Sequence, residues 1–276
     1  MEIAETTNAF EVRGATYRYD DITALDDLTL TIEAGRRIAI LGANGSGKST
    51  LLRVLDGLYF PEKGTVTAFG EPLTENTLQD EEFAFRFRRR VALVFQNPDV
   101  QLFNPTVFDE IAFGPLQMRW ARDEIRSRVA ETMETLGIAH LKDRSPHRLS
   151  GGEKKRVALA SVLILEPEVL LMDEPTAALD PKSRGQIVDL LAETGGTART
   201  VVTATHDLDT IEDIADYCYI FQNGRIAGEG TPAAILADAG LLEATNLIHA
   251  HRHRHPDGSF HSHPHLHRFH EHDHEH

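Results

Sequence analysis

One cysteine, Cys218, is all that the 276 residues contain. No intrachain disulfide can form, and the fold gains nothing from an oxidising compartment. Long hydrophobic runs are lacking as well. The longest apolar run is Val157 to Leu165, while a bilayer-spanning helix needs about 20 apolar residues. Any membrane role is therefore expected to be peripheral, through a partner. Basic residues are scarce beside acidic ones, 28 against 43, for a formal charge of −15. Broad phosphate-neutralising contact with nucleic acid needs the opposite balance, so no nucleic-acid partner is expected. The opening Met1–Phe10 has neither the basic start nor the apolar stretch of a signal peptide.

What is present suits a sizeable α/β core: 41% of the chain is apolar, and the length fits one large domain with a built-in subdomain. Residues 1–248 read as mixed α/β, with a helix-rich segment at about 97–165, and 249–276 as a separate His-rich, disordered tail. Phe10–Tyr17 and Thr23–Glu33 alternate like strands of an antiparallel sheet. Arg37–Leu41, Val169–Met172 and Thr200–Ala204 read as short buried strands. Helices are expected from Lys48 to about Asp56, stopped by Gly57; from Arg122 to Leu136, with Ile125, Val129, Met133 and Leu136 on one face and Gly137 ending it; and after the Asp180-Pro181 and Thr231-Pro232 caps. Asn223-Gly224 reads as a hairpin turn. Strand–helix alternation predicts a largely parallel sheet flanked by helices.

Gly42-Ala43-Asn44-Gly45-Ser46-Gly47-Lys48-Ser49 fits the phosphate-binding P-loop, with a strand before it and a helix after it, as the motif requires. Glycines let backbone N–H groups wrap an anion at a helix N-terminus. Lys48 supplies charge for the β- and γ-phosphates, and Ser49, followed by Thr50, offers a hydroxyl to Mg²⁺. The strand Val169–Met172 ends in Asp173 and Glu174, where an open α/β sheet places its ligands. Asp173 is expected in the Mg²⁺ shell, and Glu174 to polarise or deprotonate the attacking water.

Leu149-Ser150-Gly151-Gly152-Glu153 resembles the signature motif of ABC ATPases. It is a second anion cradle, a hydroxyl and two glycines ahead of a helix expected over Lys154–Leu165. The resemblance implies a P-loop NTPase core, an N-terminal antiparallel β-subdomain and an inserted helical subdomain. It also implies two ATP molecules sandwiched between two such subunits, the second being the same chain or a paralogue, with this cradle meeting the γ-phosphate held by the partner. Other positions match the family in order. Gln96 is similar to the glutamine that senses Mg²⁺ and water and links to the membrane partner, and Ala178-Leu179-Asp180 to the D-loop. His206 is similar to the switch histidine that contacts the γ-phosphate. Tyr19, ahead of Tyr17, is similar to the aromatic that stacks on adenine. Lys48, Gln96, Glu174 and His206 are the catalytic set implied. Ser150, Gly152 and Asp180 join the nucleotide contacts, and Ser49, Gln96 and Asp173 those of Mg²⁺.

Val94-Phe95-Gln96-Asn97-Pro98-Asp99-Val100-Gln101-Leu102-Phe103 closely resembles the corresponding segment of energy-coupling factor ATPases, including those of cobalt and nickel importers. In that family it faces the coupling helices of the integral-membrane subunit, which implies a peripheral place on the cytoplasmic face of the cell membrane. Twelve of the fifteen histidines lie between His249 and His276. Alternation at His251, His253, His255 and at His261, His263, His265, His267 puts imidazoles on one side of an extended chain, a donor set suited to Ni²⁺ or Co²⁺. An ATPase for a vitamin or other solute would share the same ATP chemistry. A soluble non-transport ABC ATPase would copurify with soluble partners. A metal store carried on a P-loop domain would leave the signature and switch motifs unexplained.

Overall fold

The computed structural model describes residues 8–193 and 198–248, together with the backbone of 250–254 and 260–264. Strands β1 (Asn8–Tyr19) and β2 (Ile22–Glu33) pair antiparallel. They bury Phe10, Val12, Leu28, Leu30 and Ile32 on one side, the period-2 pattern of a sheet with one wet face. After β3 (Arg37–Leu41) and α1 (Lys48–Leu55) come β4 (Lys63–Ala68) and β5 (Glu71–Pro72). These complete a four-stranded antiparallel sheet of order β2-β1-β4-β5.

Two helices, α2 (Glu75–Gln79) and α3 (Glu81–Arg90), precede β6 (Val91–Val94). The sequence reading assigns nothing to 75–90: α3 fully buries only Phe87, with Phe83 one turn earlier half-buried and stacked on it, an apolar stripe of two rings among charged residues. A helical segment follows, α4 (Val107–Gln117), α5 (Arg122–Thr135) and α6 (Gly151–Leu163). It has its own apolar cluster, built from Leu102, Ile111, Val129, Met133, Val157 and Ile164 among others. Ile125, Val129 and Met133 are the buried stripe of α5, as their spacing predicts. The helix α6 starts at Gly151 rather than at Lys154. Ser150 Oγ accepts the Glu153 N–H (3.3 Å) and the Glu153 carboxylate accepts the Ser150 N–H (2.7 Å). That reciprocal capping box draws both glycines into the first turn and is worth about 1 kcal/mol.

The chain continues through β7 (Val169–Asp173), α7 (Pro181–Ala192), β8 (Thr200–Thr205), α8 (Ile211–Ile214), β9 (Tyr217–Gln222) and β10 (Arg225–Gly230). The hairpin at Asn223-Gly224 joins β9 to β10, both turn residues with positive φ. Helix α9 (Pro232–Ala237) is not the last. Asp238 caps a further turn, α10 (Ala239–Ala244), by accepting the Leu241 N–H. The second sheet has the order β10-β9-β3-β8-β7-β6, with every pair parallel except β9–β10. Successive residues of β3 feed separate cores, Ile40 toward the cluster with Phe10 and Leu52, Leu41 toward that with Met172 and Ile187. Cys218 is buried in β9, and burial pushes its thiol up to about 12, which leaves it unreactive.

Where a disordered tail was expected, the described backbone of Ala250–Arg254 (β11) pairs antiparallel with Phe260–Pro264 (β12). In that register His251 lies opposite His263, and His253 opposite His261. His255, His265 and His267 lie outside the described residues.

Candidate nucleotide-binding site

The parallel register aligns the carboxyl ends of four strands. Leu41 pairs with Thr205, Asp173 with Ala204, and Val94 with Met172. The P-loop follows β3, Asp173-Glu174 end β7, His206 follows β8 and Gln96 follows β6. Residues spread over more than 150 positions of sequence thus meet at one edge, where open α/β sheets bind their ligands.

The loop 42–49 turns from β3 into α1. Gly47 has φ +109°, and a Cβ there would lie 2.4 Å from the Ala24 carbonyl oxygen, so only glycine fits. Ser46 Oγ is buried with no protein partner. A backbone cradle with an orphaned hydroxyl, opening on a helix N-terminus, suits a phosphate chain.

Behind the cradle, Lys48 is 5% exposed and its Nζ donates to the carbonyls of Gly42 (2.7 Å) and Ala43 (3.2 Å). It also lies 3.6 Å from Glu174 Oε1. Burial pulls the Lys48 pKa down, against the raising effect of Glu174 and Asp173. Ser49 Oγ donates to Asp173 Oδ1 at 2.9 Å. Burial raises the pKa of Asp173 despite that bond, and the charge of Glu174 adds to the rise. An alcohol and a desolvated carboxylate side by side are hard oxygen donors, the set Mg²⁺ prefers, and a divalent cation beside Asp173 would oppose the upward shift by favouring the carboxylate.

Glu174 is 4% exposed and has the left-handed φ of +47°. Its N–H donates to the Ala204 carbonyl (2.9 Å), which ties the turn to β8. Oε1 lies 2.9 Å from His206 Nδ1, and Oε2 accepts from Thr205 Oγ1 at 3.4 Å. Lys48, Glu174 and His206 therefore form one contact set, and the Ser49–Asp173 pair lies next to it in the chain on both sides. Thr205, which the sequence reading missed, belongs to it; its only signal was its place beside His206.

At the rim, Tyr19 ends β1 with 36% exposure, and its hydroxyl is 3.2 Å from Thr50 Oγ1. It packs edge-on against Tyr17 (5.1 Å) and Tyr59 (5.8 Å). Gln96 is exposed and hydrogen bonds to none of the cluster. Ser150 and Asp180 are engaged as helix caps, Asp180 accepting from the Ser183 N–H (3.1 Å) and hydroxyl (2.6 Å), donors that lower its pKa. Gly152 packs against α7: a Cβ would lie 2.7 Å from Ser183 Oγ. Ser150, Gly152 and Asp180 share no hydrogen bond with Lys48, Asp173 or Glu174. Arg184, whose guanidinium meets Asp207 at 2.7 Å, and Lys155, which reaches the backbone of Glu174, were also missed.

Residues 25–177 match the family model described as ABC transporter. The nickel import ATP-binding protein NikO of Rhodobacter capsulatus is 55% identical over 245 residues, which cover 88% of this chain and 96% of that protein. Among solved structures, cbiO1 from Clostridium perfringens, part of the ABC transporter complex cbiONQ, superposes with a TM-score of 0.74. It is 37% identical, with 87% of this chain and 95% of that one covered. The ATP-binding cassette MJ0796, as a post-hydrolysis dimer with ADP and Pi, is 28% identical with a TM-score of 0.72, covering 81% and 98%.

Proposed function

This chain belongs to the ABC transporter family as an ATP-hydrolysing subunit, and on that premise we propose that it powers the import of nickel or cobalt ions. The observation that carries the ATPase assignment of residues is the contact set Lys48–Glu174–His206, in which the buried Lys48 and Glu174 link the P-loop to the exposed His206. The metal cargo is supported by the 55% identity to a nickel import ATPase. The energy-coupling factor class is supported by the resemblance of Val94–Phe103.

Within the site, the P-loop N–H groups and Lys48 hold the β- and γ-phosphates, and Tyr19 takes the adenine. Ser49, Asp173 and Gln96 would hold Mg²⁺, which when bound neutralises charge on the phosphates. Glu174 orients the attacking water and accepts its proton, with His206 and Thr205 fixing the rotamer of the carboxylate. Ser150 and Gly152 of a partner subunit cradle the same γ-phosphate, so the competent unit is a nucleotide-bridged pair. The paired MJ0796 cassette supports that assembly. An integral-membrane subunit is the further partner. The reading is supported by two exposed rings at the end of the Gln96 segment, Phe103 (62% exposed) and Phe113 (38%), which meet edge-on at 5.0 Å; single exposed apolar residues are ordinary, but a group in contact suits an interface. Among the described residues no helix is long and apolar enough to cross a membrane.

The test is uptake of radioactive Ni²⁺ and Co²⁺ by vesicles holding this chain and its membrane subunits. ATP-dependent accumulation of either ion, abolished in vesicles lacking the chain, is expected. ATP-dependent uptake of a vitamin with neither metal moved would refute the cargo.

The tail is assigned to metal capture near the importer. The support is the alternation of histidines and the register that sets His251 opposite His263 and His253 opposite His261, since alternate positions of paired strands share one face. Calorimetry on the full chain and on a chain ending at Ile248 checks this. The full chain is expected to bind Ni²⁺ and Co²⁺, and the shortened one not. Binding should weaken below about pH 6, where imidazole takes a proton in place of a metal. Equal uptake by the two chains removes the tail from metal handling.

A further inference from the structure

Lys155 lies five residues beyond Ser150, in the second turn of α6. Its Nζ donates to the carbonyl oxygens of Glu174 (3.0 Å), Pro175 (3.2 Å) and Ala177 (2.6 Å). An ammonium has three N–H donors, and here all three are spent on one short stretch of backbone. That stretch is bounded by two non-glycine residues in the left-handed region, Glu174 at φ +47° and Ala178 at φ +58°. Such conformations persist only where the surroundings hold them. The hold on the loop comes from two sides: the Glu174 N–H is tied to β8, and its carbonyls are tied to α6 through Lys155.

The same helix meets two other parts of the machinery. Its N-terminus is the Ser150–Gly152 cradle. Lys154 Nζ pairs with Asp99 at 2.6 Å, and the Gln101 amide donates to the Ala158 carbonyl at 2.8 Å, which fixes the segment after Gln96 to the helix.

We propose that Lys155 is a positioning residue that sets Glu174 and couples the two nucleotide sites of the pair. The cradle that opens α6 engages the partner's nucleotide, and Lys155 on the next turn holds the carboxylate-bearing loop of this chain's own site. A shift of α6 on engagement then moves Glu174 directly, without passing through either nucleotide. The inference rests on the sandwich reading given above.

The full chain carrying Lys155→Met tests it, with Lys155→Arg beside it. No phosphate-binding group is altered, so half-saturating ATP should stay within about twofold. Turnover should fall about tenfold or more, the size of one lost positioning interaction, and the ATP dependence should lose its sigmoidal form. Lys155→Arg keeps a cation with several donors and should restore turnover to within about threefold and keep the sigmoid. A purely structural role would instead lower the melting temperature and leave cooperativity unchanged. Wild-type-like turnover in Lys155→Met, or a wild type with hyperbolic ATP dependence, overturns the proposal. Should that variant fail to fold, Lys155→Gln, with two N–H donors of shorter reach, must show the same split between turnover and half-saturation; if it does not, the proposal is equally lost. ATP-driven pairing of Glu174→Gln separates the two readings. No pairing there means the sandwich has failed, whereas pairing alongside a wild-type-like Lys155→Met means only the coupling has.

Discussion

Glu174→Gln should bind ATP within a few-fold of the wild type yet hydrolyse it about 100-fold or more slowly, the usual cost of losing a general base. The geometry requires this separation. Glu174 lies at the end of β7 with 4% exposure, its Oε1 2.9 Å from His206 Nδ1, and it is no part of the P-loop cradle. Glutamine fills the same volume and still pairs with Thr205 and His206, but its amide has no basic oxygen to take a proton from water. It also removes a negative charge 3.6 Å from Lys48 Nζ, which strengthens the pull of that ammonium on phosphate. A nucleotide bound and not cleaved should therefore accumulate, and with it the two-subunit form. Phosphate release and light scattering with Mg-ATP measure the two effects. Hydrolysis near the wild-type rate would remove Glu174 from the mechanism.

Lys48→Met has the opposite signature, a loss of binding. Charge-assisted bonds to phosphate are about twice as strong as neutral ones, and losing about 3 kcal/mol of them weakens nucleotide affinity roughly 100-fold. The side chain is nearly buried, and among the described residues its ammonium is the Lys or Arg cation within ion-pair distance of the Glu174 carboxylate, which also meets His206. Methionine keeps the packing of the stem but leaves a buried carboxylate without its cation, a change that costs about 3–5 kcal/mol. The variant should thus melt at a lower temperature than the wild type. Titration with a fluorescent ATP analogue and thermal melting check both effects. Affinity within about threefold of the wild type would contradict the assignment of Lys48.

Much of the site was legible because its chemistry is local. The P-loop occupies eight consecutive residues, Asp173-Glu174 follow an apolar run, and Asp180 announces a cap through its side chain and the proline after it. Strands with one wet face or none could be read from period and β-branching, and the Asn223-Gly224 hairpin from its turn residues. What was hidden depends on partners distant in sequence. Lys155 reads as one more charge in Lys154-Lys155-Arg156, and only the approach of β7 to α6 reveals its use. Thr205 and Arg184 are ordinary until β8 and α7 place them beside Glu174 and Asp207. Helix α3 escaped because in Glu-Glu-Phe-Ala-Phe-Arg-Phe-Arg-Arg-Arg the two inward rings, Phe83 and Phe87, are masked by an exposed Phe85 and by six charged residues. Gln96 illustrates the limit from the other side: its position at the sheet edge was foreseen, but its side chain is exposed and unbonded here.

The place of β3 in the middle of the larger sheet has a consequence for synthesis. Its two neighbours, β8 and β9, are encoded roughly 160 and 180 positions later. At about 5–20 residues per second, Arg37–Leu41 leaves the ribosome some 10–30 s before either edge has a partner. During that interval an apolar pentapeptide with two open rows of amides and carbonyls is a template for pairing with other nascent chains. The early antiparallel ladder of β1 and β2, complete within the first 33 residues, is the one sheet available to shelter it. The contacts of Glu174 with Thr205 and His206 form only once β8 has emerged, so a ribosome stalled ahead of β8 would hold a chain with its P-loop made but its hydrolytic carboxylate unplaced.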